Sequence, residues 1–109
     1  METKRAEFAS KAFRFSRLEE GVEIGRAYLF IIRNDLHEKP YYGLLEDVFV
    51  HEKYRKIGVA KKLIGEIIEE AKRQECYKLI LRCNPNLREF YNSLGFKEVD
   101  KLEFRMSFE

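Results

Sequence analysis

The sequence predicts an α+β domain built on a mixed, mostly antiparallel sheet with one crossover helix. Two observations carry most of that prediction. Three strand-like runs, Phe8 to Leu18, Val22 to Arg33 and Tyr41 to Val50, follow one another with short links, which suggests an antiparallel meander. Then Ala60, Leu63, Ile64, Ile67, Ile68 and Ala71 recur at spacings of three and four, one face of an amphipathic helix from about Lys56 to Gln74. A strand-like run, Tyr77 to Arg82, follows that helix. Such a strand–helix–strand path sets the two strands parallel, with the helix crossing one face.

Taken in order, Met1 to Arg5 is a polar tail, and Phe13 and Phe15 alternate with Arg14 and Ser16 as an edge strand should. Glu19-Glu20-Gly21 is a turn signal. The middle of the second strand, Ala27 to Ile32, is apolar at both parities, so both of its faces are expected to be covered. Asn34 to Pro40 is a polar loop. Beyond the crossover, Asn84-Pro85-Asn86 opens a short helix, Leu87 to Leu94, with Asn86 and Glu89 spaced as a capping box and Gly95 as the stop. Phe96 to Val99 and Leu102 to Phe108 read as two closing strands. In the second, Leu102, Phe104, Met106 and Phe108 share one face. The element order is β-β-β-α-β-α-β-β, in a single domain over residues 1–109.

Length and composition narrow the function classes. A chain of 109 residues can bury a core without disulfides or metal. Its net charge of +2 is too small to argue for a nucleic-acid or membrane partner. Cys76 and Cys83 form no CxxC pair and read as free thiols in a reducing compartment. No apolar leader segment follows Met1 to Arg5, and no apolar run is long enough to span a bilayer, so a cytoplasmic location is expected. His37 and His51 have no partners at metal-ligand spacing, and no metal is expected. The Glu66, Glu69, Glu70, Lys72, Arg73 cluster reads as a solvated helix face with a Glu69–Arg73 pair.

The chemistry-bearing stretch is the entry to the long helix. Helix starts favour acidic or small polar residues, because their first N–H groups are unpaired and the dipole end is positive. Here the entry carries Arg55, Lys56, Lys61 and Lys62 around Gly58, with no acid. That arrangement suits a docked anion, held by the backbone N–H groups of Ile57 to Lys61. On these residues alone a solvated, basic helix start is an equal alternative. The stretch is neither a Walker P-loop nor a dinucleotide fingerprint.

Leu45-Glu46-Asp47-Val48-Phe49-Val50 followed by Tyr54-Arg55-Lys56-Ile57-Gly58-Val59-Ala60 resembles motif A of the GNAT acetyltransferase superfamily, Gln/Arg-x-x-Gly-x-Gly/Ala. Asn84 to Tyr91, with Phe90-Tyr91 and then Gly95-Phe96, resembles a second signature of that family, with Leu87 at a position that is usually Ala. The resemblance covers about Val22 to Phe96. It implies a minimal acyl-CoA N-acyltransferase fold and an acetyl-CoA-dependent N-acetyltransferase acting on a small-molecule or protein amine. It further implies that the coenzyme A pyrophosphate lies on Ile57, Gly58, Val59, Ala60 and Lys61, with Arg55 and Lys56 opening the motif. The pantetheine would pair along Val48, Phe49 and Val50 and touch Asn84, and Tyr91 would protonate the departing thiolate.

These residue types suit the reaction. A tyrosine can hydrogen-bond a leaving thiolate and return a proton, and N–H groups near Phe49 can polarise the thioester carbonyl. The alternative for Tyr91 is a core aromatic beside Phe90. Strand alternation puts Leu44, Glu46, Val48 and Val50 on one face and Leu45, Asp47 and Phe49 on the other, which makes Glu46 the candidate base. Substrate-orienting or structural roles for Glu46 remain open. Against the family pattern the chain starts at the second strand, so the acceptor wall is expected to be short and the edge strand exposed. A homodimer covering the open side is expected. The alternative function is a catalytically weak coenzyme A-binding module with a regulatory or assembly role.

Overall fold

A two-residue turn and one longer loop fold the first three strands against each other. In a computed structural model, which describes residues 1–108, β1 spans Lys11–Glu19, β2 Val22–Arg33 and β3 Tyr41–Val50. Glu20 and Gly21 both take positive φ, 49° and 80°, the conformation that matches a tight turn to the twist of its strands. The helix α1 covers Val59–Arg73, β4 is Leu79–Ile80, and α2 is Arg88–Ser93. The strands lie in the order β1-β2-β3-β4, antiparallel except for the parallel β3–β4 pair. This is the expected mixed, mostly antiparallel sheet with a crossover helix.

Helix α1 carries the core. Val59, Leu63, Ile64, Ile67 and Ala71 are buried at the predicted spacing: Ile64 and Ile67 cluster with Ala27, Leu29, Ile31 and Leu45 of the sheet, and Val59 and Leu63 with Ile24 and Val50. Full burial of each Leu or Ile contributes about 1.5–3 kcal/mol. The helix stops where Glu75 turns left-handed, at φ 59°. The Cys76 N–H then donates to the Ala71 carbonyl at 3.1 Å and the Glu75 N–H to the Lys72 carbonyl at 3.0 Å, satisfying two terminal carbonyls. On its exposed face the ion pairs are Arg73–Glu70 and Lys72–Glu69, one step shorter than the predicted Glu69–Arg73 pair.

Four sequence expectations are corrected. Both helices lie on one side of the sheet, Tyr91 of α2 joining the cluster of Leu29, Leu45 and Ile64. The opposite face of β2 is therefore open, with Phe30 exposed and Tyr28 half-buried. Residues 96–108 form no strand, because alternation marks a face suited to burial without supplying a partner to bury it. The run expected over Tyr77 to Arg82 pairs regularly only at Leu79 and Ile80. The Asn86–Glu89 capping box does not form either. A 3₁₀ turn over Pro85–Leu87 precedes α2, and no side chain caps the start of α2. Gly95, at φ 98°, ends α2 as expected.

Candidate functional site

The site is a wedge between β3 and β4. The two strands pair regularly only at Gly43↔Leu79 and Leu44↔Ile80, and among the described residues no further pairing follows Leu44 and Ile80. Gly43 sets the pivot, since a Cβ there would lie 2.8 Å from Leu79 Cδ1 and 3.1 Å from Leu29 Cδ1. Among the described residues, no strand lies beside the edge of β3 that faces away from β2 from Leu45 onward. Its backbone groups are available to an extended ligand.

A bulge re-aims the side chains along this edge. Arg26 pairs with Phe49 and Tyr28 with Glu46, so Ala27 faces two residues, Asp47 and Val48, and Asp47 takes φ 53°. The extra residue flips the predicted parity. Glu46 and Phe49 share the open face, whereas Leu45, Val48 and Val50 pack towards α1. The expectation that Glu46 sides with Val48 and Val50 is thus overturned. Arg26 tightens the bulge by donating to the Asp47 carbonyl and lying 5.2 Å from the Phe49 ring centre.

The wedge leads to the start of α1. Gly58 caps the helix in the left-handed region at φ 89°, next to Lys56 at φ 67°. Among the described residues no side chain bonds to the first-turn N–H groups and no acid sits in the first turn, so the donors of Val59, Ala60 and Lys61 carry no side-chain cap there. Arg55 is fixed there. Its Nε donates to the Val50 carbonyl at 2.8 Å and its guanidinium lies 5.7 Å from the Phe49 ring. The arrangement joins Val48, Phe49, Val50 and Arg55 to the helix start, and together they can hold a phosphate next to an extended chain. Gly25 lets the helix come this close: a Cβ there would meet Val59 Cγ1 at 3.0 Å and the Phe49 carbonyl at 3.2 Å. Gly25 and Gly43 escaped the sequence reading, although a glycine inside a strand is itself a signal of close approach. An open groove of about 680 Å³ runs along the outer side of α1 past Gly58, Lys61 and Phe15; it shares the helix start but not the wedge.

Tyr91 and Glu46 approach from opposite sides of the sheet. Tyr91 is 8% exposed, with its ring edge-on to Phe90 and Phe96 at 5.1 and 5.8 Å. Burial pushes its phenol above the usual tyrosine range, with a smaller contribution from Cys83, so the hydroxyl keeps its proton. Asn84, next to Cys83, is exposed and precedes the turn over Pro85–Leu87. Glu46 is not a free base: Arg82 Nη2 donates to it at 2.9 Å, and Arg82 Nη1 donates to Glu103 at 2.7 Å. Sequence reasoning passed over Arg82 and Glu103, because 36 and 21 residues separate them from Glu46 and from Arg82, respectively. His37 stacks on Tyr77 at 4.2 Å and His51 lies edge-on to Phe49 at 5.1 Å. Among the described residues no group of three or more His, Cys, Asp or Glu is placed to hold a metal, and no helix is long and apolar enough to cross a membrane.

Residues 2–96 match the Acetyltransferase (GNAT) family. The chain is 39% identical over 70 residues to a probable glucosamine 6-phosphate N-acetyltransferase 2 of Oryza sativa subsp. japonica, covering 64% of this chain and 42% of that protein. It spans about half the length of the first curated relatives it matches. The crystal structure of a glucosamine-6-phosphate N-acetyltransferase from Arabidopsis thaliana superposes with a TM-score of 0.84 at 24% identity, over 90% of this chain and 67% of that one. An aminoglycoside N-acetyltransferase in complex with CoA superposes with a TM-score of 0.73 at 25% identity, over 86% of this chain and 74% of that one.

Proposed function

Because the chain belongs to the acetyltransferase (GNAT) family, we propose that it transfers the acetyl group of acetyl-CoA to an amine, which attacks the thioester directly in a ternary complex. The observation that carries this reading is the wedge between β3 and β4 opening onto an uncapped, basic helix start. In this reading the N–H groups of Ile57 to Lys61 hold the pyrophosphate, with Arg55 and Lys56 adding charge. The pantetheine extends along Val48, Phe49 and Val50 and reaches Asn84.

The amine lone pair attacks the carbonyl carbon and the oxyanion forms near the bulge, where edge N–H groups can stabilise it. Collapse of the intermediate breaks the C–S bond, and the Tyr91 hydroxyl gives its proton to the departing thiolate. Glu46, on the open face, receives the proton from the amine directly or through water, while Arg82 Nη2 holds its Oε1. An amino sugar phosphate is the first acceptor class to test, since the relatives carry glucosamine 6-phosphate in their names. A homodimer, with a second copy over the open side of the sheet, belongs to this proposal.

Calorimetry with acetyl-CoA should show micromolar binding that Gly58→Val weakens, because a β-branched residue at φ 89° distorts the helix start. Thiol release with glucosamine 6-phosphate and a panel of amines should then show turnover. Absence of binding would overturn the whole reading. Binding without turnover on any amine favours a coenzyme A-binding module instead, a reading supported by the open face of β2 and the Arg82 contact to Glu46.

A further inference from the structure

Two free cysteines lie at different depths, and only one of them borders the wedge. Cys76 is half-buried against the cluster that holds Leu29 and Ile64, and burial pushes its thiol up, which makes it a poor nucleophile. Cys83 is exposed and follows the end of β4. The register fixes its level. β3 and β4 run parallel at an offset of 36 residues, and the Glu46–Arg82 contact at 2.9 Å keeps that same offset beyond the last backbone pair. The next two residues at that offset are Asp47, the left-handed residue of the bulge, and Cys83. Cys83 therefore lies at the level of the bulge, where the thioester carbonyl stands in the proposed reaction.

Tyr91 marks the same place from the helix side. Its side chain is 8% exposed, yet among the described residues its hydroxyl has no hydrogen-bond partner. Among those residues no polar side-chain atom is sealed in the core without a partner, so the Tyr91 hydroxyl emerges at the surface rather than ending among apolar groups. Cys83 is near enough for its charge to act on that phenol. Alternation agrees: Leu79 and Leu81 pack towards the core with Tyr91, whereas Arg82 reaches Glu46 on the open face, which returns Cys83 to the Tyr91 side. A phenol that is buried, still protonated and unpartnered leaves a place for one ligand atom, and a thiol stands beside that place.

We infer that Cys83 is a covalent modification site for coenzyme A itself, taken from coenzyme A disulfide as a reversible cap that closes the wedge. The inference rests on the coenzyme A reading of that wedge. One half of the disulfide seats as acetyl-CoA does in that reading, with its pyrophosphate at Ile57 to Lys61 and its pantetheine along Val48, Phe49 and Val50. Its sulfur then arrives at the level of Cys83 and Tyr91. The Cys83 thiolate attacks that sulfur, a bond from Cys83 Sγ to it forms, and the S–S bond of the coenzyme A disulfide breaks. The second coenzyme A leaves as a thiolate and takes up a proton. Cys83 is oxidised, one coenzyme A is reduced, and no other oxidant is needed. The capped chain excludes acetyl-CoA from the wedge until a thiol reverses the exchange. Transfer is thereby switched off where coenzyme A is oxidised and restored where it is reduced.

Mass spectrometry of the whole chain after incubation with coenzyme A disulfide should show one added coenzyme A, mapped to Cys83 by peptide analysis. Seating in the wedge should make this reaction at least about tenfold faster than the reaction with glutathione disulfide at equal concentration. Excess acetyl-CoA should protect Cys83, and Gly58→Val should bring the rate down towards that of glutathione disulfide. Cys83→Ser should take up no coenzyme A, and Cys76→Ser should take it up as wild type does. Calorimetric binding of acetyl-CoA should be lost in the capped chain and return after reduction. If the reduced chain binds acetyl-CoA, then equal rates with the two disulfides, labelling at Cys76, or an unlabelled Cys83 would overturn this inference alone. A reduced chain that does not bind acetyl-CoA would overturn the coenzyme A reading, and the cap with it.

Discussion

Replacing Tyr91 by Phe separates the two roles open to that residue. The ring stays, and with it the contacts to Phe90 and Phe96 at 5.1 and 5.8 Å. Among the described residues no hydrogen bond to the Tyr91 hydroxyl forms, so its loss should alter stability by under about 1 kcal/mol. The acid role predicts a far larger change in rate. General acid catalysis contributes roughly 10²–10⁴-fold, which at 1.36 kcal/mol per decade is about 3–5 kcal/mol of barrier. Coenzyme A affinity should be kept, because the hydroxyl meets the sulfur only as it leaves. Thiol release under saturating acetyl-CoA, with calorimetry and thermal melting on the same preparation, reads all three quantities. The pH profile adds a signature. A phenol held above its ordinary value stays protonated into the alkaline range, so wild-type activity should decline only as pH rises through that elevated pKa, and the Phe variant should lack this limb. A turnover number within twofold of wild type, with melting unchanged, would refute the acid role and leave Tyr91 a core aromatic. Tyr91→Ala would not discriminate, since emptying the ring site costs about 3–5 kcal/mol on packing alone.

Three further outcomes are expected. Gly25→Ala sets a Cβ 3.0 Å from Val59 and 3.2 Å from the Phe49 carbonyl, so it should push the start of α1 off the sheet. Denaturant titration should register about 1–3 kcal/mol of destabilisation, and coenzyme A affinity should fall with it. Glu75→Gly relieves a left-handed residue at φ 59° and should stabilise by about 1 kcal/mol, raising the melting temperature by roughly 4–8 °C. At the β1–β2 hairpin, bonds from Arg14, then Ser16, hold the Glu23 carboxyl below its usual range. Its folded pKa is depressed, so the contact stabilises above the unfolded carboxylate pKa of about 4.3 and is lost as pH falls through the folded value. Wild type should therefore melt above Glu23→Gln at neutral pH, and the gap should close in acid.

Much of this architecture was legible because local periodicity reports local structure. Helix α1 runs over Val59–Arg73 inside the predicted Lys56 to Gln74, since its apolar stripe repeats every three or four residues. The uncapped start at Gly58 was legible for the same kind of reason: basic residues and a glycine stand where acids are usual. Parity along β3 was not. A bulge adds one residue without altering composition, so alternation carried Glu46 to the wrong neighbours until Asp47 and Val48 were seen facing the single Ala27. Nor could alternation say that Leu102 to Phe108 lies unpaired, because it describes what a strand needs rather than what stands beside it. The Glu46–Arg82–Glu103 contacts arise only after three distant segments meet.

The two-residue pairing of β3 with β4 leaves the sheet with a seam that its own chain does not close. A ligand lying in that seam would act as a missing strand, and it would bind the folded chain only. Its free energy of binding is then also free energy of folding, and each tenfold excess over the dissociation constant adds about 1.4 kcal/mol. The lifetime of the chain would thus track how much ligand surrounds it. Resistance to heat or protease should serve as a gauge of occupancy even where no reaction is being followed.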